Sequence, residues 1–315
     1  MLRPLTYNLW PSVMQYMDLG NRTLLSLKYP KIRRTDKRCP ARAETIHVTE
    51  MGVKMNDTKF IVEKYESGEY METSGSLDSS RTIILKTNIP LYQAKNQLFL
   101  AFFDRKIDIN TLIVDRDFRR EDVSWPNDLK IKIRNLWMSP YHSHSETYAN
   151  TVLETRDFLN EIKRILKVPL ESINLGTCVL ISHPVTNSAE NVIVHNYAHG
   201  IEELESHRIH VQNTRTNSLE PEKIVEKWQL TKPEVGRHFS LATDDLPWAL
   251  RVLRTIEMRP DAQINFALSS EVSSYGITIP IGDGTEINVF VSGSRQRLEY
   301  VLNFKVDEIN QSESL

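Results

Sequence analysis

The feature that most constrains this chain is a repeated change of hydrophobic period. Short runs in which apolar and polar residues alternate are followed by longer runs in which apolar residues recur every three to four positions. Residues 82–87 read as a strand. Residues 91–103 read as a helix, with Ala94, Leu98, Ala101 and Phe102 on one face. A buried-type strand is expected at 110–115, and 129–137 alternates over Leu129, Ile131 and Ile133. After a polar break at 139–149 the same grammar predicts a helix over 155–167, a strand over 173–181, a helix over 188–204, a strand over 207–212, a helix over 220–230 and a strand over 236–242. Strands alternating with helices predict an α/β fold with a mixed, partly parallel sheet. At the end, Ile277, Ile279 and Ile281 alternate, Gly282-Asp283-Gly284 turns, and Ile287, Val289 and Val291 alternate back, which predicts a β-hairpin over 276–291. Residues 300–306 predict one more strand, at an edge. No fixed-period repeat is strong, and an irregular, leucine-rich-repeat-like array is an alternative form of the same sheet.

Two further segments precede this alternation. Residues 4–38 predict three short helices: a stripe of Leu5, Leu9, Val13, Met14 and Met17, then Leu24, Leu25 and Leu27, then a segment opened by Pro30 with Ile32 as its main apolar contact. Three such helices hold too little apolar surface for a core of their own, so this head must lean on another part of the chain. From 44 to 65 the period is two, through Ile46, Val48, Phe60 and Val62, and Asn56-Asp57 is turn chemistry, which predicts an antiparallel meander. Residues 66–81 carry no periodicity and predict a loop. The expected division is a helical head (1–38), a β-rich first α/β unit (39–140), a second α/β unit (141–308) and a tail (309–315).

Composition narrows the class. The 315 residues carry 39 basic and 41 acidic side chains, for a formal net charge of -2, so no global charge draws the chain to nucleic acid. Hydrophobic residues at 40% and charged residues at 25% are ordinary for a soluble globular protein. The first residues lack the apolar core and small-residue cleavage site of a secretory signal. The longest strongly apolar patch, 98–103, is far short of the roughly 20 residues of a membrane span. Cys39 and Cys178 are the two cysteines, a usage that suits a reducing compartment. The expectation is an intracellular protein, cytoplasmic or nuclear, with no membrane partner.

Catalytic signals are weak. His195 and His199 have the i, i+4 spacing that places two imidazoles on one helical face and suits a metal, but no glutamate follows the first histidine as a metalloprotease base requires. His207 and His210 stand an odd number of residues apart on an expected strand and so face opposite sides. His142, His144 and Glu146 come close in a loop without further ligands at zinc-like spacing. Phosphate-binding glycine loops and the Gly-x-Ser-x-Gly elbow are absent. Cys178 lies in an apolar run, where a thiol serves as core filler. Adjacent carboxylates such as Glu202-Glu203 and Asp244-Asp245 diverge. The chain is therefore read as non-enzymatic, without cofactor or metal. The alternatives are a metal-dependent hydrolase using His142, His144, His195 and His199, and a basic-patch nucleic-acid binder. The basic patch is the run from 28 to 42, where Lys28, Lys31, Arg33, Arg34, Lys37, Arg38 and Arg42 face the single acid Asp36. Such a run suits either nucleic acid or an acidic protein surface. It lacks aromatic interleaving beyond Tyr29, which makes nucleic acid the less favoured partner.

The order of several segments resembles a known family. Pro4-Leu-Thr-Tyr-Asn-Leu-Trp-Pro-Ser-Val-Met-Gln-Tyr-Met-Asp18, then Asn21-Arg-Thr-Leu-Leu-Ser-Leu27, Tyr29-Pro-Lys-Ile-Arg33 and Asp36-Lys37, resembles a nematode-expanded family of unknown function whose head is F-box-like. Ile224-Val-Glu-Lys-Trp228 followed by Glu234-Val-Gly-Arg-His-Phe-Ser240 is similar to F-box-associated domains, in which a Trp helix leads into a Val-Gly strand. Glu286-Ile-Asn-Val-Phe290 and Leu302-Asn-Phe-Lys-Val306 fit the end of that pattern. The resemblance implies a protein–protein interaction role, in which the head binds the Skp-type adaptor of a cullin–RING ubiquitin ligase and the C-terminal part recruits a substrate protein. The residues expected to meet the partner are Leu5, Leu9, Val13, Met17, Leu24 and Leu25.

Overall fold

The structure is a computed structural model that describes residues 10–49, 52–64, 81–103, 105–115, 131–138, 148–166, 169–175, 183–195, 201, 204–212, 220–294 and 299–309. The protein is α/β, with helices at the N-terminus and antiparallel strands at the C-terminus. It divides into two compact units, Met1–Glu171 and Ser172–Leu315.

Unit 1 opens with three short helices, α1 (Trp10–Tyr16), α2 (Leu19–Lys28) and α3 (Pro30–Arg38). Asp18 caps α2 by accepting from the Asn21 N–H, and Pro30 begins α3, where its missing N–H costs nothing. The meander expected over 44–65 is present as β1 (Ala41–Thr49), β2 (Gly52–Met55) and β3 (Thr58–Lys64). Asn56 takes a positive φ of 48° at its turn, and its side-chain oxygen accepts from the Glu44 and Thr45 N–H groups, both at 3.1 Å. Then come β4 (Arg81–Thr87), α4 (Leu91–Phe103), β5 (Ile107–Val114), β6 (Ile131–Met138) and α5 (Tyr148–Ile165), in the strand order β4-β3-β2-β1-β5-β6. The helix expected at 91–103 is α4 residue for residue, and it buries Phe99 and Phe103 besides the four residues of the expected face. In β1, β5 and β6 the buried positions step by three once, between Ala43 and Ile46, Ile109 and Leu112, and Ile133 and Leu136. Because these steps fall at the same register, the three parallel strands shift face together.

Unit 2 has β7 (Ser172–Leu175), α6 (Pro184–Asn187), β8 (Asn191–Val194), β9 (Arg208–Val211), α7 (Glu222–Thr231), β10 (His238–Thr243), α8 (Leu246–Glu257), β11 (Gln263–Asn265), β12 (Gly276–Gly282), β13 (Thr285–Ser294) and β14 (Glu299–Glu308). The strand order is β7-β8-β9-β10-β14-β13-β12-β11, parallel from β7 to β10 and antiparallel beyond. One sheet face is apolar, with rows such as Ile209-Phe239-Phe304-Val289-Ile277, and α8 packs on it over β12, β13 and β14. The hairpin turns at Asp283 and Gly284, both with positive φ.

Three expectations are corrected here. The helix expected at 188–204 gives way to strand β8, since Asn-Val-Ile-Val is β-branched and pairs in register with β7. The strand at 300–306 is not an edge. As β14 it lies between β13 and β10, and β11 is the strand beyond the hairpin. The reading also passed over α8, although Asp245 accepts from the Trp248 N–H at 2.9 Å and Pro247 stands in the first turn. Trp248, Ala249, Val252, Leu253 and Ile256 form its buried stripe. The loop at 66–80, the break at 139–147 and Cys178 lie outside the described residues.

Candidate functional site

The head does lean on the rest of its unit, and one carboxylate holds it there. Asp36, in α3, is fully buried. Its Oδ1 accepts from Arg22 Nε at 2.9 Å and Nη2 at 2.7 Å, and its Oδ2 accepts from the Ser26 hydroxyl at 2.6 Å. Arg105, between α4 and β5, pairs with Oδ2 at 2.6 Å. Both guanidiniums are buried too. Their surplus donors reach main-chain oxygens: Arg22 donates to Pro40 and Cys39, and Arg105 to Ala101. A buried charge is tolerated only when paired and hydrogen-bonded. The acid that the sequence set against a basic run is therefore the internal anchor of the head. Beside it, burial pushes the Cys39 thiol above its ordinary range, which keeps it protonated.

This anchoring leaves the head with an uneven surface. Met14 and Leu19 are fully buried, whereas Val13, Met17, Leu24 and Leu25 are half-buried. Tyr16 is 92% exposed and Tyr29 54%. Of the six residues expected to meet a partner, the structure thus places four, all with part of their apolar surface open. Leu5 and Leu9 lie outside the described residues.

A second surface lies on the polar face of the unit 2 sheet. One row across the strands is His210-Ser240-Asn303-Phe290, and the next is Arg208-His238-Lys305-Asn288-Thr278. Hydrogen bonds link the rows. His210 Nδ1 meets the Ser240 hydroxyl at 2.8 Å, and His238 Nε2 meets Asn303 Oδ1 at 3.1 Å. Asn303 donates to the Ser292 hydroxyl at 2.9 Å, the Thr278 hydroxyl donates to Asn288 Oδ1 at 2.8 Å, and Asn288 donates to Asp307 at 3.1 Å. Burial, and then the neighbouring His238 and His195, lower the His210 pKa. Burial also lowers His238, against the Asn303 hydrogen bond. Both imidazoles are therefore neutral at pH 7 and present polar, uncharged edges. Burial raises the Glu286 carboxyl, which the Asp307 charge reinforces.

The histidine reading is corrected in part. His195 follows strand β8 rather than standing in a helix, so helical i, i+4 spacing to His199 does not apply. His142, His144 and His199 lie outside the described residues. Among the described residues no three His, Cys, Asp or Glu side chains gather as a metal-binding group. His207 precedes β9 and meets Glu234 at 3.3 Å, apart from the His210 network. The polar rows escaped the sequence reading because they form only when β14 inserts beside β10. The signal available was the alternation of His238, Ser240, Asn303 and Lys305 with buried apolar residues.

Comparison with known proteins returns one family. Residues 90–245, just under half of the chain, match the model of a family described as a domain of unknown function (DUF3557). The match runs from the residue before α4 to the cap of α8, and so takes in β5 to β10 but neither the helical head nor the C-terminal hairpin. No curated protein matches the chain, and no solved structure matches it. No helix among the described residues is long and apolar enough to cross a membrane.

Proposed function

We propose that the chain is a non-enzymatic protein–protein interaction protein working inside the cell. Its F-box-like head docks a Skp-type adaptor of a cullin–RING ubiquitin ligase, and the polar sheet face of unit 2 receives a substrate protein. The observation that carries this reading is the open apolar surface of the head: Val13, Met17, Leu24 and Leu25 stay half-buried beside the exposed Tyr16, while Met14 and Leu19 sink into the unit. Partly apolar surface rich in Tyr and Arg is the composition of protein interfaces. The segments from 4 to 37 that resemble an F-box head support the choice of partner.

Co-purification of the full chain with a Skp-type adaptor tests the reading. Tyr16 is so exposed that Tyr16→Asp leaves the fold intact, which circular dichroism checks. Loss of an aromatic anchor costs about 2 kcal/mol or more of binding, roughly thirtyfold in affinity. Binding by the wild type together with loss in Tyr16→Asp supports adaptor docking. A folded wild type that leaves the adaptor unbound defeats it.

A further inference from the structure

The basic run from 28 to 42 takes on a different character once α3 is in place. At about 100° per residue, Arg33, Lys37, Arg34, Arg38 and Lys31 follow one another around roughly 160° of the helix. All five are exposed. The remaining arc holds Thr35 and Asp36, both buried, and Ile32, half-buried. Asp36 is neutralised from within by Arg22 and Arg105. The one acid of the run is thereby removed from the surface, and the outward arc of α3 carries cations alone. Among the described residues Lys31, Arg33, Arg34, Arg38 and Arg42 have no ion-pair partner. Because the short helix is fixed by a buried ion cluster, these charges are held in one array rather than on a mobile tail.

We propose that the outward arc of α3 is an electrostatic docking strip for an acidic protein surface, with Lys31, Arg33, Arg34 and Arg38 meeting carboxylates of the partner. This deepens the adaptor reading and rests on it for the partner's identity, although the strip itself is argued from charge. Three of the four are arginines, whose forked guanidinium pairs carboxylates bidentately. The helix packs against α1 and α2, which carry the exposed Tyr16 and the half-buried Leu24 and Leu25. That mixture of Arg, Tyr and open apolar surface favours a protein over a nucleic acid, whose binding surfaces are more uniformly polar and cationic. The strip acts as the rim of an interface, so its effect falls on the association rate more than on residence time.

The experiment uses the full chain and the triple variant Arg33→Glu/Arg34→Glu/Arg38→Glu, whose changes are all at exposed positions and whose fold is checked by circular dichroism. Association with the adaptor is measured at about 50 mM and about 500 mM salt. The expected result is an association rate lowered at least about tenfold in the triple variant at low salt, a gap that closes at high salt, and a dissociation rate little changed. Equal association rates at low salt overturn the strip. A short poly-glutamate peptide and a DNA duplex are titrated in parallel, so that a wild type that ignores the adaptor defeats the adaptor reading without deciding the strip. Low-salt binding of the peptide by the wild type, weakened about tenfold in the triple variant, supports the strip. Failure of the wild type to bind the peptide, or duplex binding that persists at about 150 mM salt after the peptide has let go, overturns it in favour of another ligand class.

Discussion

Replacing Asp36 with alanine removes the only anion from a cluster in which two buried guanidiniums converge. Arg22 would lose contacts at 2.9 and 2.7 Å and Arg105 one at 2.6 Å, while both remain buried with positive charge. Removing one member of such a cluster costs about 3 to 5 kcal/mol, because the charges left behind are desolvated without compensation. For a unit of the size of Met1–Glu171, 1 kcal/mol moves the melting temperature by about 2 to 4 °C, so the expected fall is about 6 to 20 °C. Differential scanning calorimetry of the full chain reads it, with the transition of unit 2 as internal reference. Because Arg22, Ser26 and Asp36 belong to the head and Arg105 does not, limited proteolysis should also cut the head first in the variant. The triple replacement Arg22→Met/Asp36→Leu/Arg105→Met removes all the charges together and should restore most of the loss. A fall of less than about 2 °C on Asp36→Ala would mean that the cluster is hydrated and that the head is held by apolar packing instead.

Other outcomes follow from named contacts. Trp228 is 2% exposed beneath the Arg237 guanidinium, 5.7 Å from the ring centroid, so Trp228→Ala should lower the stability of unit 2 by about 3 to 5 kcal/mol in urea unfolding. His210 and His238 have folded pKa values below their ordinary value of about 6.5, so the unfolded chain binds more protons below that pH. The stability they contribute is complete above about 6.5 and is lost as the pH falls from there toward their lowered folded values. Comparing urea midpoints at neutral and mildly acidic pH should show a smaller drop in His210→Gln/His238→Gln than in the wild type; an equal drop assigns the pH dependence to other groups. A Cβ on Gly52 would collide with the Phe60 carbonyl across the β2–β3 pair, so Gly52→Ala should cost about 1 to 3 kcal/mol by thermal melting, whereas an unchanged melt would mean that the pair opens without cost.

Much of the secondary structure was legible in the sequence because local period reports burial directly. The helix α4, the meander around Asn56 and the hairpin at Asp283-Gly284 each combine an apolar period with turn or boundary chemistry that acts over a few residues. Where short apolar runs lacked such boundaries, period alone could not decide. Asn191–Val194 is a strand only because β7 and β9 lie beside it to complete its hydrogen bonds. The position of β14 between β13 and β10 depends on pairing between residues far apart in the chain, for which an alternating pattern holds no address. The same limit hid the functional surfaces. Sequence counts the charges in the run from 28 to 42 and shows one acid among seven bases. Only the packing of α2, α3 and Arg105 turns that acid inward and leaves the bases outside, because the cost of burying a charge is met by partners that tertiary structure alone brings together.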